Sequence, residues 1–458
     1  MRSHSSSLQA KPAHFKTTTR LAAGVAAALL SALPAVSQAD EADRRQALFG
    51  DVHIHTQLSF DAYIFGIRRT PDDAYRYALG ETLRHAAGYD IALKGGPLDF
   101  YAVTDHAEYL GVLPEMNNPA NSISKVDSAD GMDALAIPHN SNLSDGLMFQ
   151  LTDFDGNPMT SEYAQTRMRN EPIVEMTQVK GTSDTHPALS PNDEFAGFEI
   201  YETLLGTDIT GKTQGGYVRE ALLNGLKLEE ELGVNPYQFG LIGSSDSHNA
   251  GGPVEEDHYF GKTGLVDGTP ERRRAFVVPG EEDLTGAAAS SFFQWSAAGL
   301  AGVWAERNNR EDIFAAMRRK ETFATSGPRI KVRLFAGYDY PSEMFGRSDF
   351  ATLAYAQGVP MGGEPDAETN RCADNGKRID VSSCEIPEVY GAAQFDVTWS
   401  DPDFDPERRA FYYARVIENP TCRWSTWEAN RRGEEVRDGL PLTLQERAWS
   451  SPIWVKPQ

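Results

Sequence analysis

Three short histidine–acid clusters, each closing an apolar run, constrain this chain more than any other feature. They are Gly50-Asp51-Val52-His53-Ile54-His55-Thr56, Thr104-Asp105-His106 and Ser245-Asp246-Ser247-His248. On a strand, the side-chain period of two puts both members of an H-x-H or D-x-H pair on one face. Two imidazoles, or a carboxylate and an imidazole, then converge where one divalent cation can sit. One such pair says little. Three in order, joined by Ile137-Pro138-His139, point to a multi-metal hydrolase site. The ligand candidates are His53, His55, His106, His139, Asp246 and His248. Asp61, in Leu58-Ser59-Phe60-Asp61, is a seventh, with a turn-capping role as its alternative. Asp51 and Asp105 stand beside ligand positions and are open to two readings, orienting an imidazole or serving the backbone.

The apolar runs also carry fold expectations. Residues 48–56, 98–103, 173–178 and 239–243 read as buried strands, and 329–335 alternates as another. Residues 132–137 form an apolar run that delivers His139. Helices are predicted from Thr70-Pro71-Asp72-Asp73 towards Glu81 and over 161–169. Two more run through Val218, Leu222 and Leu226 to Gly233, and over 310–320. Strands alternating with helices, with polar residues at strand ends, predict a parallel α/β barrel whose function collects on the carboxyl face. Beyond about Gly337, Asp, Gly and Pro become frequent, and 394–399 and 410–417 alternate like antiparallel strands. The expected organisation is therefore a signal peptide at 1–39, a barrel at 40–336 and a small β-rich region at 337–458.

The amino terminus argues for export. Arg20 precedes an apolar stretch over residues 21–35, and Ser37-Gln38-Ala39 offers small residues where a signal peptidase reads. The stretch is too short for a stable membrane span, with an uncleaved anchor as the alternative. A periplasmic or secreted protein beginning at Asp40, with no stable membrane insertion after cleavage, is expected. No Cys follows the cleavage point, which argues against a lipoprotein. Residues 1–39 hold four basic residues and no acid, so their removal takes the formal charge from −23 to −27. A surface so acidic repels nucleic acid and anionic membranes.

Lys180, after a strand, and His186, in Thr182-Ser183-Asp184-Thr185-His186-Pro187, are candidates for contact with a small anionic substrate. An ordinary loop role is the alternative for both. The chain has no G-x-S-x-G elbow and no P-loop, so water activated on a metal is favoured over a serine nucleophile. Three cysteines are present. Cys372 and Cys384 bracket a polar segment that a disulfide could close, which leaves Cys422 over, but connectivity stays open at this level.

These residues in this order resemble the polymerase-and-histidinol-phosphatase (PHP) superfamily of metal-dependent phosphoesterases. More closely, they resemble its domain-of-unknown-function 3604 branch. Further matching stretches run from Ala107 to Gly111 after His106, from Ile137 to Ser144, from Glu175 to Thr182, and from Tyr413 to Trp424. The resemblance implies a distorted α/β barrel with up to three metals (zinc, manganese or iron) on its carboxyl face. By position, His53, His55 and Asp246 would hold one metal, Asp61, His106 and His248 another, and His139 would belong to a middle site. Asp246, His248, Lys180 and His186 would serve catalysis, in hydrolysis of a phosphoester or of a sulfate ester. Relatives also place a strand with a metal-bridging Glu, and a further His, between the equivalents of His106 and His139. Here that interval is only residues 107–138, and its first glutamates, Glu108 and Glu115, end no apolar run. The resemblance thus implies the loss of one β/α unit, and with it either a working hydrolase or a catalytically impaired metal- or ligand-binding relative.

Overall fold

The computed structural model describes residues 45–107, 110, 135–153, 155–205, 207, 209–274, 292–336, 376–387, 393–394, 401 and 403–457. The expected signal segment over residues 1–39, the glutamates Glu108 and Glu115, Cys372 and most of the 394–399 run lie outside the described residues. No helix among the described residues is long and apolar enough to cross a membrane.

The amino-terminal strands are β1 (Gln46–Ile54), β2 (Leu83–Arg84), β3 (Asp90–Ile91) and β4 (Phe100–Val103). After them come β5 (Ile173–Glu175), β6 (Thr177–Gln178), β7 (Gly181–Thr182), β8 (Gly240–Ile242), β9 (Leu300–Ala305) and β10 (Thr322–Thr325). The carboxyl-terminal strands are β11 (Ala410–Tyr412), β12 (Arg415–Ile417), β13 (Thr421–Cys422), β14 (Thr443–Leu444), β15 (Arg447–Ser450) and β16 (Ile453–Val455). Six of them form one sheet in the order β12-β15-β10-β9-β1-β4.

The architecture is mixed α/β, and the described strands do not close into a barrel. Among the described residues, parallel pairing is confined to β1 with β4, β5 with β8, and a single bridge between Ile54 and Ser247. Next to β1, where a parallel barrel needs another parallel strand, β9 runs antiparallel from Gln46↔Ala305 to Gly50↔Ala301. The strands β10, β15 and β12 continue the sheet antiparallel. The carboxyl-terminal region is β-rich, and its β12 and β15 belong to this same sheet. Residues 410–417 are extended as expected, although β11 pairs with β16 and β12 with β15 rather than with each other. Residues 329–335 form no strand. The extended segment there is β10, whose side chains are all buried and whose pattern therefore never alternates. The run ending at Ile137 is likewise irregular over residues 135–140.

Local sequence explains the elements that hold the site. In β1 five consecutive residues are buried, because the strand lies between β9 and β4 inside the core. Gly50 is required there, since a Cβ would come within 2.3 Å of Phe100 on β4. Leu48, Val52, Ile242 and Val303 form one buried cluster beneath the strand ends. Each such side chain contributes about 1.5–3 kcal/mol on burial. The helix Pro71–Ala78 starts as the sequence predicts, with reciprocal hydrogen bonds between Thr70 and Asp73. It ends at Ala78, three residues short of Glu81.

The cysteine pairing is Cys384–Cys422, across 38 residues, not Cys384 with Cys372. Cys422 ends β13 immediately before Arg423 and Trp424. Both are buried, the guanidinium on Glu199 and the indole N–H on the Trp295 carbonyl. The disulfide therefore ties residue 384 to a segment already anchored in the core.

A candidate metal centre at the strand ends

The backbone brings the histidine clusters together at the carboxyl end of β1. The His55 N–H donates to the Ser247 carbonyl at 2.9 Å, and Ser245 Oγ donates to the His53 carbonyl at 3.1 Å. These bonds lay the Ser245–His248 segment alongside His53-Ile54-His55. On the other flank, Thr104 N–H donates to the Ile54 carbonyl at 2.9 Å, which positions Asp105-His106. Asp61 lies in the short helix Phe60–Ile64, six residues past His55. Asp246 adopts φ 54°, a left-handed conformation that Asp tolerates better than most residues.

Two ligand-competent groups result. The ligand atoms of His53, His55 and Asp246 all lie within 4.8 Å of one another, as do those of His55, His106 and His248. Asp246 Oδ1 is 3.5 Å from His53 Nε2 and 3.3 Å from His55 Nε2. Asp61 Oδ2 is 2.8 Å from His248 Nε2 and 3.3 Å from His106 Nε2. His139 joins neither group; its ring is exposed and lies edge-on to that of His53 at 4.5 Å. The side chains of His55 and His248 are 3% and 4% exposed, against 38% for His106, so the centre opens on the side of His106 and Asp61.

Hydrogen bonds fix which ring nitrogen faces the centre. The Ser59 hydroxyl donates to Asp105 at 2.8 Å, so its oxygen accepts from His55 Nδ1 at 3.0 Å and from the His106 backbone N–H at 3.0 Å. Asp105 also receives Thr56 Oγ1 and the backbone N–H groups of Thr56 and Ser59, so it organises this turn and reaches His55 through Ser59. His55 Nε2, buried and without a hydrogen-bond partner among the described residues, is left with its lone pair towards Asp246. An orphaned buried nitrogen of this kind is what a metal ligand lacks before its ion is bound. The residues present fit a divalent transition metal, whose identity the N/O donor set leaves open. Asp51 serves the backbone instead, accepting from the N–H groups of His53 and Ser245.

Electrostatics agree. Burial pushes the His53 and His248 imidazoles well below their ordinary value and His55 down to about 2. The rings are thus neutral, the form that binds metal. Burial works to raise the Asp61 carboxyl, but hydrogen bonds from His106 and His248 outweigh it and hold it ionised.

Sequence reasoning missed three contributors: Glu175, Lys262 and Ser59. Glu175 ends β5, its N–H held by the Pro138 carbonyl, and its Oε2 meets His53 Nδ1 at 2.9 Å. Its position at the end of the apolar run over residues 173–174 is the signal the sequence offers. Burial pushes its carboxyl up to about 7. Lys262 Nζ lies 3.3 Å from Asp246 Oδ1 and 2.6 Å from His248 Nδ1, and no neighbouring motif marks it in the sequence. Lys180 is brought to the centre as well, its ammonium on Asp246 Oδ2. His186 is not brought in by its described contacts, which are with the Tyr217 ring and the Ala188 N–H. Its loop is held elsewhere, Asp184 being engaged by Arg219, Arg415 and the Trp449 indole.

No curated protein and no solved structure matches the chain. A family model matches residues 42–133, 121–367 and 363–457, and by this extent the chain belongs to the family described as Protein of unknown function (DUF3604).

Proposed function

We propose that the protein is an exported, metal-dependent hydrolase of phosphate-type esters, with sulfate esters as the variant substrate, and that its centre is of the PHP type. The observation that carries this reading is the meeting of two ligand groups, built from three separate sequence clusters, around the orphaned His55 Nε2. His53, His55 and Asp246 would hold one ion, and Asp61, His106 and His248 a second. A bound divalent ion supplies Lewis acidity and an activated water at neutral pH. The protein's own residues orient the ligands, exclude water from the His55 side and, through Lys180, bind the anionic ester. The disulfide is consistent with an oxidising compartment and so with export.

A second reading is a metal- or ligand-binding protein with impaired catalysis. It is favoured by one observation: two buried lysines contact Asp246, so an ion must compete with both for that carboxylate. One experiment separates the two. Elemental analysis of the mature protein is run beside a chromogenic panel of phosphomonoesters, phosphodiesters and sulfate esters. Bound metal with turnover supports the hydrolase, bound metal without turnover the impaired relative, and absence of metal removes both metal readings. Amino-terminal sequencing of the exported protein should begin at Asp40, and an intact Met1 would rule out signal cleavage.

A further inference from the structure

Asp246 already receives as many donors as two carboxylate oxygens can satisfy. Oδ2 receives the Lys180 ammonium, Gln178 Nε2 at 2.8 Å and Asn140 Nδ2 at 3.4 Å. Oδ1 faces Lys262 Nζ at 3.3 Å together with the two imidazoles. A carboxylate offers about four lone-pair positions, and the four donors Lys180, Gln178, Asn140 and Lys262 already fill them.

Both lysines are delivered by rigid backbone. Val179-Lys180 is the two-residue turn between β6 and β7, with the Lys180 N–H bound to Gln178 Oε1 at 2.8 Å and its carbonyl to Asn142 Nδ2 at 3.1 Å. The Lys262 carbonyl accepts from the His248 N–H at 2.8 Å, and its own N–H donates to the buried Asp267 at 2.7 Å. Burying two flexible, strongly hydrated side chains here is costly, and hydrophobic packing does not explain it.

We infer that Lys262 and Lys180 form a paired donor site for a tetrahedral oxyanion, the phosphoryl or sulfuryl group of the substrate, on the Asp246 side of the centre. This rests on the hydrolase reading and extends it by naming what recognises the anionic part of the substrate. A metal ion on Asp246 Oδ1 leaves the Lys262 head group with His248 Nδ1 as its remaining acceptor and further N–H groups to place, and an oxyanion presents several acceptors at once.

The test uses inorganic sulfate and inorganic phosphate, titrated calorimetrically into the mature protein after chelator stripping and again after zinc reloading. Metal content and ester turnover are measured on the same batches. The wild type should bind at least one of the two anions, and the tighter of them indicates whether sulfate or phosphate esters are preferred. Lys262→Met should weaken that binding by about tenfold to a hundredfold, the range for a charge-assisted hydrogen bond, without lowering the metal content. Lys180→Met should do the same from the hairpin side. A crystal of the wild type soaked in tungstate should show the heavy atom between the two Nζ groups, a readout that needs no variant to fold. Unchanged anion affinity in both variants, or tungstate bound elsewhere, overturns the pair even if ester hydrolysis is intact. No ester turnover by the metal-loaded wild type, with anion binding that is weakened in both lysine variants, would sink the hydrolase reading and leave the pair standing.

Discussion

His55 Nδ1 lies 3.0 Å from the Ser59 hydroxyl, which in turn donates to Asp105 at 2.8 Å. This two-step relay sets the tautomer of the one ring that belongs to both ligand groups. Ser59→Ala removes the acceptor and frees the ring to turn. Loss of such an orienting partner costs about tenfold to a hundredfold in metal affinity. Competition against a chromophoric zinc chelator should show that loss with an unchanged circular dichroism spectrum. Affinity within twofold of wild type would mean that packing alone holds the ring.

The ligands themselves should matter more. With His53 and His55 both replaced by Ala, Asp246 retains no neutral nitrogen donor in its group. Too few ligands remain for zinc or manganese at that position. Elemental analysis should find at least one ion fewer per chain in the double variant. An unchanged metal content would move the site elsewhere.

Much of this centre could be read from the chain, and the reason is geometric. H-x-H and D-x-H spacings encode a shared face locally, so His53, His55, Asp246 and His248 need no knowledge of the fold. Glu175 and Lys262 act through long-range packing, and Ser59, only four positions from His55, is fixed by Asp105 across 46. Glu175 reaches His53 across 122 positions, and nothing near it in sequence announces the partner. The barrel expectation failed for a related cause. In β9 small residues such as Ala301 and Gly302 alternate with Leu300 and Val303 without a strand-like pattern, so neither that strand nor its antiparallel fit against β1 was visible.

The cysteines follow the same rule, since contact order in space decides their pairing. The Cys384–Cys422 bond closes a 38-residue separation. In the chain-entropy treatment a loop of that size is worth about 4 kcal/mol at most. Cys422→Ser should therefore lower the urea midpoint measurably under oxidising conditions. Addition of reductant should lower the wild type to a similar midpoint and leave the variant where it is. A variant as stable as the oxidised wild type would show that the anchoring of Arg423 and Trp424 suffices.

Acid should act on the metal-free protein through His55. Burial takes its imidazole from the ordinary 6.5 down to about 2, so the unfolded chain binds that proton across the interval and the folded protein does not. More protons on the unfolded state mean that this contribution to stability falls as pH falls below about 6.5, by at most about 1.4 kcal/mol per unit. Urea unfolding at about pH 7.5 and about pH 5 should thus cost the wild type more than His55→Asn. Equal losses in the two proteins would show that the His55 ring is not held neutral by burial.

Glu175 supplies the most discriminating variant. Its Oε2 meets His53 Nδ1 at 2.9 Å, while Oε1 is buried with no hydrogen-bond partner among the described residues. As an orienting partner, the carboxyl holds His53 Nε2 towards Asp246, and Gln can keep that role because its amide oxygen still accepts from Nδ1–H. Glu175→Gln should then retain the ion of the His53 group with affinity lowered by less than about tenfold, whereas Glu175→Ala should lose about tenfold to a hundredfold. The Gln variant also removes the group that burial holds near 7, so any ionisation of the centre that tracks Glu175 should vanish from its metal-affinity profile between about pH 6 and 8. Should Gln prove as damaging as Ala, with one ion lost outright, the free Oε1 is itself a metal ligand. Glu175 would then supply, from a different strand, the bridging carboxylate that the PHP resemblance implies between His106 and His139.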